Sequence, residues 1–350
     1  MGNDWTLSTQ FIKPTLLTGL IREALRDLQT NKFTLSRWLP NVPVNDITFE
    51  FKKGGGGLAE SASYRSWDAE SKIGRREGLA KIMGELPPMS EKIPLNEYDR
   101  LRMRKMNDAD ALPFIARDAK RLAENIAARL EVGRGGALVN AAVAIPELKT
   151  TVDFGRTGAH SVVAAILWTN YATARPLADL ASWKRTYTNT NGQAPAAILM
   201  SEVAFAHMMQ CEQVIRQVYP FATGPNLPMV TADQIDTILK SMRLPPIELY
   251  DAQVKVDGVA TRITPENSIA FLPPPGASTA EAPTDLGATL LGVTAESLEE
   301  DYDLQPGDQP GIVAGQWKTK DPIRIWTHAA AVGIPILREP NLTLKAQVIA

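Results

Sequence analysis

The stretch from Lys52 to about Tyr98 sets the strongest limit on what this chain can fold into. It opens Lys52-Lys53-Gly54-Gly55-Gly56-Gly57 and continues rich in Gly, Ser, Lys, Arg and Glu, with few large apolar residues. A segment with so little to bury cannot build a core of its own. Within a compact domain a loop of this length is either functional or a disordered linker. Tyr64, Trp67, Ile73, Leu79, Ile82, Met83 and Leu86 argue against a plain linker, because they are apolar anchors in need of a partner surface. The expectation is an extended hairpin that leaves the body, with Gly54–Gly57 supplying backbone freedom at its base.

Beyond it the hydrophobic pattern changes sharply. Between Asn107 and Glu131, the residues Leu112, Ile115, Ala119, Leu122, Ile126 and Leu130 recur at steps of three and four, with Arg117, Asp118, Lys120, Arg121 and Glu124 on the other face. Asp108 or Asp110 can cap this helix, and Gly133, Gly135 and Gly136 are expected to stop it, giving a length of roughly 35 Å. An earlier helix starts at Pro14, with Leu16, Leu17, Leu20, Ile21, Ala24, Leu25 and Leu28 at helical spacing. Strands are expected at Ile47–Phe51, Lys149–Phe154, Ala196–Met200 and Ile247–Val256. Helices are expected at Leu177–Tyr187, Glu202–Val218 and Ala232–Met242, the last capped by Thr231. Pro273–Ala288 reads as a surface loop, and Ile323–His328 and Leu342–Ala350 as two late strands. The sum is an α+β chain with one dominant helix and no βαβ repeat.

A length of 350 residues suggests roughly two domains. The 37 basic residues against 39 acidic ones lack the excess of a dedicated nucleic-acid binder, and leave room only for weak, non-specific contact with DNA. The single cysteine, Cys211, excludes an intramolecular disulfide and any CxxC motif, and reads as a small apolar helix residue. No run of about 18 apolar residues occurs, so no transmembrane helix or membrane partner is expected, and Met1–Gln10 lacks the pattern of a secretory signal. His160, His207 and His328 lie far apart with no ligand at metal spacing. The cluster Glu296, Glu299, Glu300, Asp301, Asp303 lacks the glycine of a calcium loop and reads as a solvated face. Gly54–Gly57 is not followed by Lys-Ser/Thr, and Gly133-Arg134-Gly135-Gly136 follows a helix instead of opening one, so neither reads as a phosphate cradle. No residue set predicts a catalytic, cofactor or metal site; an unfamiliar catalytic arrangement stays open, because such sites are recognised by geometry.

Gly315-Gln316-Trp317-Lys318-Thr319-Lys320-Asp321-Pro322, a strand, then Ile334-Pro335-Ile336-Leu337-Arg338-Glu339-Pro340-Asn341 and a strand ending Val348-Ile349-Ala350 form one run. This run resembles the lambda-type major head proteins of tailed phages, the capsid protein E family. Val152-Asp153-Phe154-Gly155-Arg156 is similar to that family's Val-Asp-x-Gly-Arg. The resemblance implies a Hong Kong 97-type capsid fold. Its parts would be an N-terminal arm and helix (1–45), an extended loop (46–100), a peripheral domain with a long spine helix (101–156), an axial domain (157–311) and return strands pairing beside the spine (312–350). It implies a non-catalytic shell subunit that binds copies of itself as hexamers and pentamers around phage DNA. The shell would be part of the virion, assembled in the host cytoplasm with scaffold, portal and decoration proteins as further partners. On that reading, inter-subunit contacts fall on Gly54, Gly55, Tyr64, Trp67, Arg75, Arg76, Ile82 and Leu86. An encapsulin-like compartment shell is the alternative, and an α+β cytoplasmic enzyme a more distant one.

Overall fold

The computed structural model describes residues 12–53, 80–95, 98, 101, 108–221, 228–256, 258–276, 282–320 and 323–350. Its elements begin with α1 (Pro14–Asn31), β1 (Asn41–Pro43), β2 (Thr48–Lys53), β3 (Ala80–Glu85), β4 (Pro88–Leu95) and α2 (Asp108–Asn140). There follow β5 (Ala142–Ile145), β6 (Thr150–Asp153), β7 (Ser161–Val163), α3 (Pro176–Asn191), β8 (Ala197–Met200), α4 (Glu202–Gln210), α5 (Glu212–Val218) and α6 (Ala232–Ser241). The strands β9 (Ile247–Leu249), β10 (Gln253–Val256), β11 (Val259–Arg262), β12 (Ser268–Leu272) and β13 (Gly287–Leu291) come next. Last are β14 (Val313–Lys320), β15 (Ile323–Leu337) and β16 (Leu344–Gln347). The described residues of Met1–Glu50, Met83–Arg134 and Gly276–Ile336 form one unit, and those of Phe51–Ile82, Gly135–Pro275 and Leu337–Ala350 a second.

In the first unit β15 is the organising strand. Antiparallel β14 (Val313 opposite Ala330) and antiparallel β4 (Leu95 opposite Ile325) both pair with it, and β13 joins it to parallel β1. Along α2, Ile115, Ala119, Leu122, Ala123, Ile126, Ala127 and Leu130 are buried, which is the expected apolar stripe. Helix α1 starts at Pro14, whose missing N–H costs nothing in the first turn. It packs on β14 through buried Leu17, Ile21 and Leu25. Thr18 Oγ1 donates to Ala314 O (3.2 Å) and accepts from Ala314 N–H (3.0 Å). The Arg22 guanidinium donates to the carbonyls of Asp308, Pro310 and Ile312.

The second unit has a five-stranded sheet in the order β7-β16-β12-β8-β9. Leu344, Ala346 and Val348 face a core with Ile198, Met200, Ile269 and Phe271, and side chains of α3, α4, α5 and α6 cover it. Trp183 stacks on Trp168 at 6.3 Å and meets Phe271 edge-on at 6.5 Å.

Several elements differ from the sequence expectation. Gly133, Gly135 and Gly136 do not stop the long helix, which runs for 33 residues, about 50 Å. It ends where Ala141 turns left-handed (φ 52°) and accepts from Phe154 N–H. Gly135 serves close approach: a Cβ there would lie 2.4 Å from Ile263 O. Alanine normally gains about 1 kcal/mol over glycine inside a helix. Here the clash is with backbone, so Gly135→Ala is expected to lower stability by about 1–3 kcal/mol, read as a lower denaturant midpoint. The predicted helix over 202–218 breaks at Cys211 (φ −69°, ψ 133°), which ends α4 and begins α5. The predicted strand over 247–256 is two strands, because β9 pairs with β8 while β10 folds onto β11. Strands β3 and β4 lie within the stretch that read as coreless. Finally, β16 does not return beside the long helix. It pairs in parallel with β7 and antiparallel with β12 in the second unit, while residues 276–311 belong to the first. Its alternating apolar face is what completes that second core.

Candidate functional site

The eight predicted contact residues fare differently. Gly54, Gly55, Tyr64, Trp67, Arg75 and Arg76 lie outside the described residues, as does the side chain of Ile82 in β3. Leu86 is corrected. Only 5% exposed, it donates its N–H to Ile47 O, and its Cδ1 lies 2.8 Å from where a Cβ on Gly292 would stand. Its apolar side chain is spent inside the first unit and offers nothing to a neighbour.

Cys211 is buried, its thiol donates to Trp168 O and His207 O, and burial, with the charge of Asp179, pushes its pKa up to about 12. His207 Nδ1 lies 2.8 Å from the Tyr171 hydroxyl. His328 meets Trp317 edge-on at 5.2 Å. Tyr302 is buried among the acidic residues, and its pKa rises to about 12, by burial first and then by Glu296, Asp301 and Glu299. Among the described residues, no group of three or more His, Cys, Asp or Glu side chains gathers as a metal site. Among them too, no helix is long and apolar enough to cross a membrane.

An open cleft of about 530 Å³ in the second unit is lined by Ile166, Ala172, Thr173, Ala174, Arg175, Glu212, Gln213 and Arg216. Its polar groups are largely engaged: Glu212 pairs with Arg216, and Gln213 Oε1 accepts from Leu177 N–H. Large apolar side chains stand exposed on the same unit, among them Val163, Ile166, Phe221 (95%) and Met229 (90%).

Two polar clusters lie deeper. In the first unit, Arg134 and Glu131 form an ion pair (3.0 Å) with both side chains wholly buried. Arg134 also donates to Leu39 O, Thr289 Oγ1 and Asn41 Oδ1, while Glu131 accepts from Leu35 N–H. The pair thereby fixes residues 35–41 to α2 and β13. Its arginine sits in the glycine-rich run that invited a phosphate reading, and it is occupied by protein.

In the second unit, the two sequence runs that carry the family resemblance meet. Gly155 takes a left-handed turn (φ 69°), and its N–H is held by Asp153 Oδ1 at 2.8 Å. This aims Arg156 at Thr343 Oγ1 (3.1 Å), Ser161 Oγ (3.1 Å) and Val139 O (2.9 Å). Asn341 Oδ1 accepts from Thr157 N–H and hydroxyl, both at 3.0 Å. Asn191 donates to Asn341 O, and Tyr187 to Leu342 O. Wholly buried His160 reaches Thr343 O through Nδ1 at 3.1 Å. Sequence reasoning noticed the runs around Arg156 and Asn341 but had no means of seeing that they touch, because their contacts span more than 180 positions.

Comparison of the whole fold places the architecture. The chain superposes on a protein described as the capsid protein of a prophage (E. coli CFT073) with TM-score 0.62, 11% identity, and 97% and 99% of the two chains covered. It superposes on a phage-related protein from Bordetella bronchiseptica RB50 with TM-score 0.59, 12% identity, and 94% and 95% covered. The class is therefore the Hong Kong 97-type capsid fold. The family model for phage major capsid protein E matches residues 23–348, and the chain belongs to that family. Among curated proteins none matches the sequence.

Proposed function

We propose that this protein forms the head shell of a tailed phage by binding copies of itself, with a structural and not a catalytic role. The observation that carries this is the family match over residues 23–348. It favours the phage head over a cargo-holding compartment. On this reading the protein resides in the virion, assembles in the host cytoplasm as rings of five and six, and meets scaffold, portal and decoration proteins there. Closed shells need heterologous contacts that close on themselves. Within the segment 46–100, the part before Leu86 and β4 supplies them, with Gly54 and Gly55 at its base, Tyr64, Trp67 and Ile82 packing on a neighbour, and Arg75 and Arg76 setting register. The peripheral domain is built around α2, and the axial domain around the five-stranded sheet of the second unit.

Purified protein viewed by negative-stain microscopy is expected to show shells or rings, and a small monodisperse particle would overturn the reading. Shortening the loop between Gly57 and Leu79 is expected to leave the melting temperature of the isolated subunit nearly unchanged, because loop length costs little stability. The same variant is expected to form no shells. Normal shells from it would remove the loop from the contact set.

A further inference from the structure

His160 ends the short turn before β7, and its ring is wholly buried. Thr343 O can only accept, so the hydrogen on the neutral ring sits on Nδ1 and Nε2 is bare. Nε2 is buried and has no hydrogen-bond partner. A bare, buried nitrogen is tolerable on a neutral imidazole. On protonation it would carry charge in a buried place, where only the carbonyls of Thr343 and Asn341 favour it.

The side chains around the ring do not help the cation. Arg156, from the turn after β6, acts on His160 as a like charge. Its own guanidinium is pulled down to about 10 by burial, with Asp153 pulling the other way. From β16 comes Lys345, bonded to Asn140 Oδ1 and lowered by burial and by the same Arg156. From α3 comes Tyr187, its ring 6.0 Å away and its hydroxyl pushed well above the usual phenol range by burial. For His160 burial dominates and lowers the pKa, ahead of the carbonyls of Thr343 and Asn341, which favour the charged form, and of Arg156, which opposes it.

The position of this ring gives the charge a consequence. In the sheet order β7 is an end strand whose neighbour is β16. The ladder continues past it through Ala164 N–H to Gln347 O and Trp168 N–H to Val348 O, both 2.8 Å. We propose that His160 is an acid-sensitive latch: while neutral it ties the turn before β7 to residues 341–343, and its protonation frees the β7–β16 edge of the second unit. This goes beyond the shell reading and does not depend on it.

The sign follows from linkage. The folded state holds the imidazole below its ordinary 6.5, so the unfolded or opened state takes up the proton first. The latch is at full strength above pH 6.5 and weakens as pH falls from there toward the folded value.

Hydrogen exchange at the Ala164 and Trp168 amides, corrected for intrinsic rates, reads the opening directly. In the wild-type protein, opening is expected to increase by up to about tenfold per pH unit below 6.5 until the folded imidazole titrates. His160→Asn keeps a donor for Thr343 O and cannot titrate, so its opening is expected to stay flat over that range. His328→Asn is expected to respond like wild type. An equal rise in His160→Asn, or no rise in wild type, overturns the latch. If His160→Asn does not fold, nitrogen NMR of the wild-type histidine rings decides, because the chain has 3 histidines. A ring with hydrogen on Nδ1 that titrates below 6.5 supports the latch; hydrogen on Nε2, or titration at 6.5 or above, overturns it.

Discussion

Removal of Leu342–Ala350 is expected to abolish folding of the second unit, not assembly alone. The segment carries β16, which lies between β7 and β12, so its loss breaks two ladders at once. Leu344, Ala346 and Val348 are all 0% exposed in the core under the helices. Burial of a Leu or Val side chain is worth about 1.5–3 kcal/mol, so those two alone are a large fraction of the stability of a typical domain, about 5–15 kcal/mol. The truncation also removes the acceptors of the buried Tyr187 hydroxyl and His160 ring, leaving both with nothing to bond, and takes one of three acceptors from Arg156. Circular dichroism and calorimetry check this. A soluble truncated chain that melts cooperatively with undiminished enthalpy would show the strand to be dispensable.

Arg134→Ala is expected to be the most damaging single substitution in the first unit. It strips the wholly buried Glu131 of its guanidinium and withdraws donors from Leu39 O, Thr289 and Asn41 together. Removing one partner of a buried pair costs about 3–5 kcal/mol. Replacing both charges with apolar side chains of similar size, as in Glu131→Met with Arg134→Met, is expected to cost less than Arg134→Ala alone, because no charge is then left in the interior. Urea denaturation of the single and double variants forms the cycle. A double variant as unstable as the sum of its singles would mean that the two side chains act independently.

Much of the fold was legible where local pattern and packing agree. The stripe from Ile115 to Leu130 gave the long helix, Pro14 the start of α1, and the alternation of Leu344, Ala346 and Val348 a strand with a buried face. What failed were boundaries and destinations, which distant residues decide. Gly135 looked like a stop until Ile263 O explained it as a close approach. A strand's periodicity shows that one face is buried but not in which core, so β16 was assigned beside the wrong partners. The candidate contact set was drawn from a scarcity of apolar residues. That scarcity did not mark out Leu86, which is buried in the first unit, or β4, which pairs with β15. Arg134 and His160 gave no signal, since nothing in their neighbouring residues marks them as buried.

The pairing of β7 with β16, and of Thr18 with Ala314, also governs when the protein can fold. A ribosome adds about 5–20 residues per second, so β7 emerges on the order of ten seconds before the strand that pairs with it. For most of that interval the nascent chain carries α1 without β14, and throughout it half a sheet without its second strand. Closure of the first unit therefore waits until synthesis has passed Ile336, and that of the second until it has passed Gln347. Prematurely terminated chains never present a finished surface to a growing shell, which keeps them out of it without any separate act of inspection.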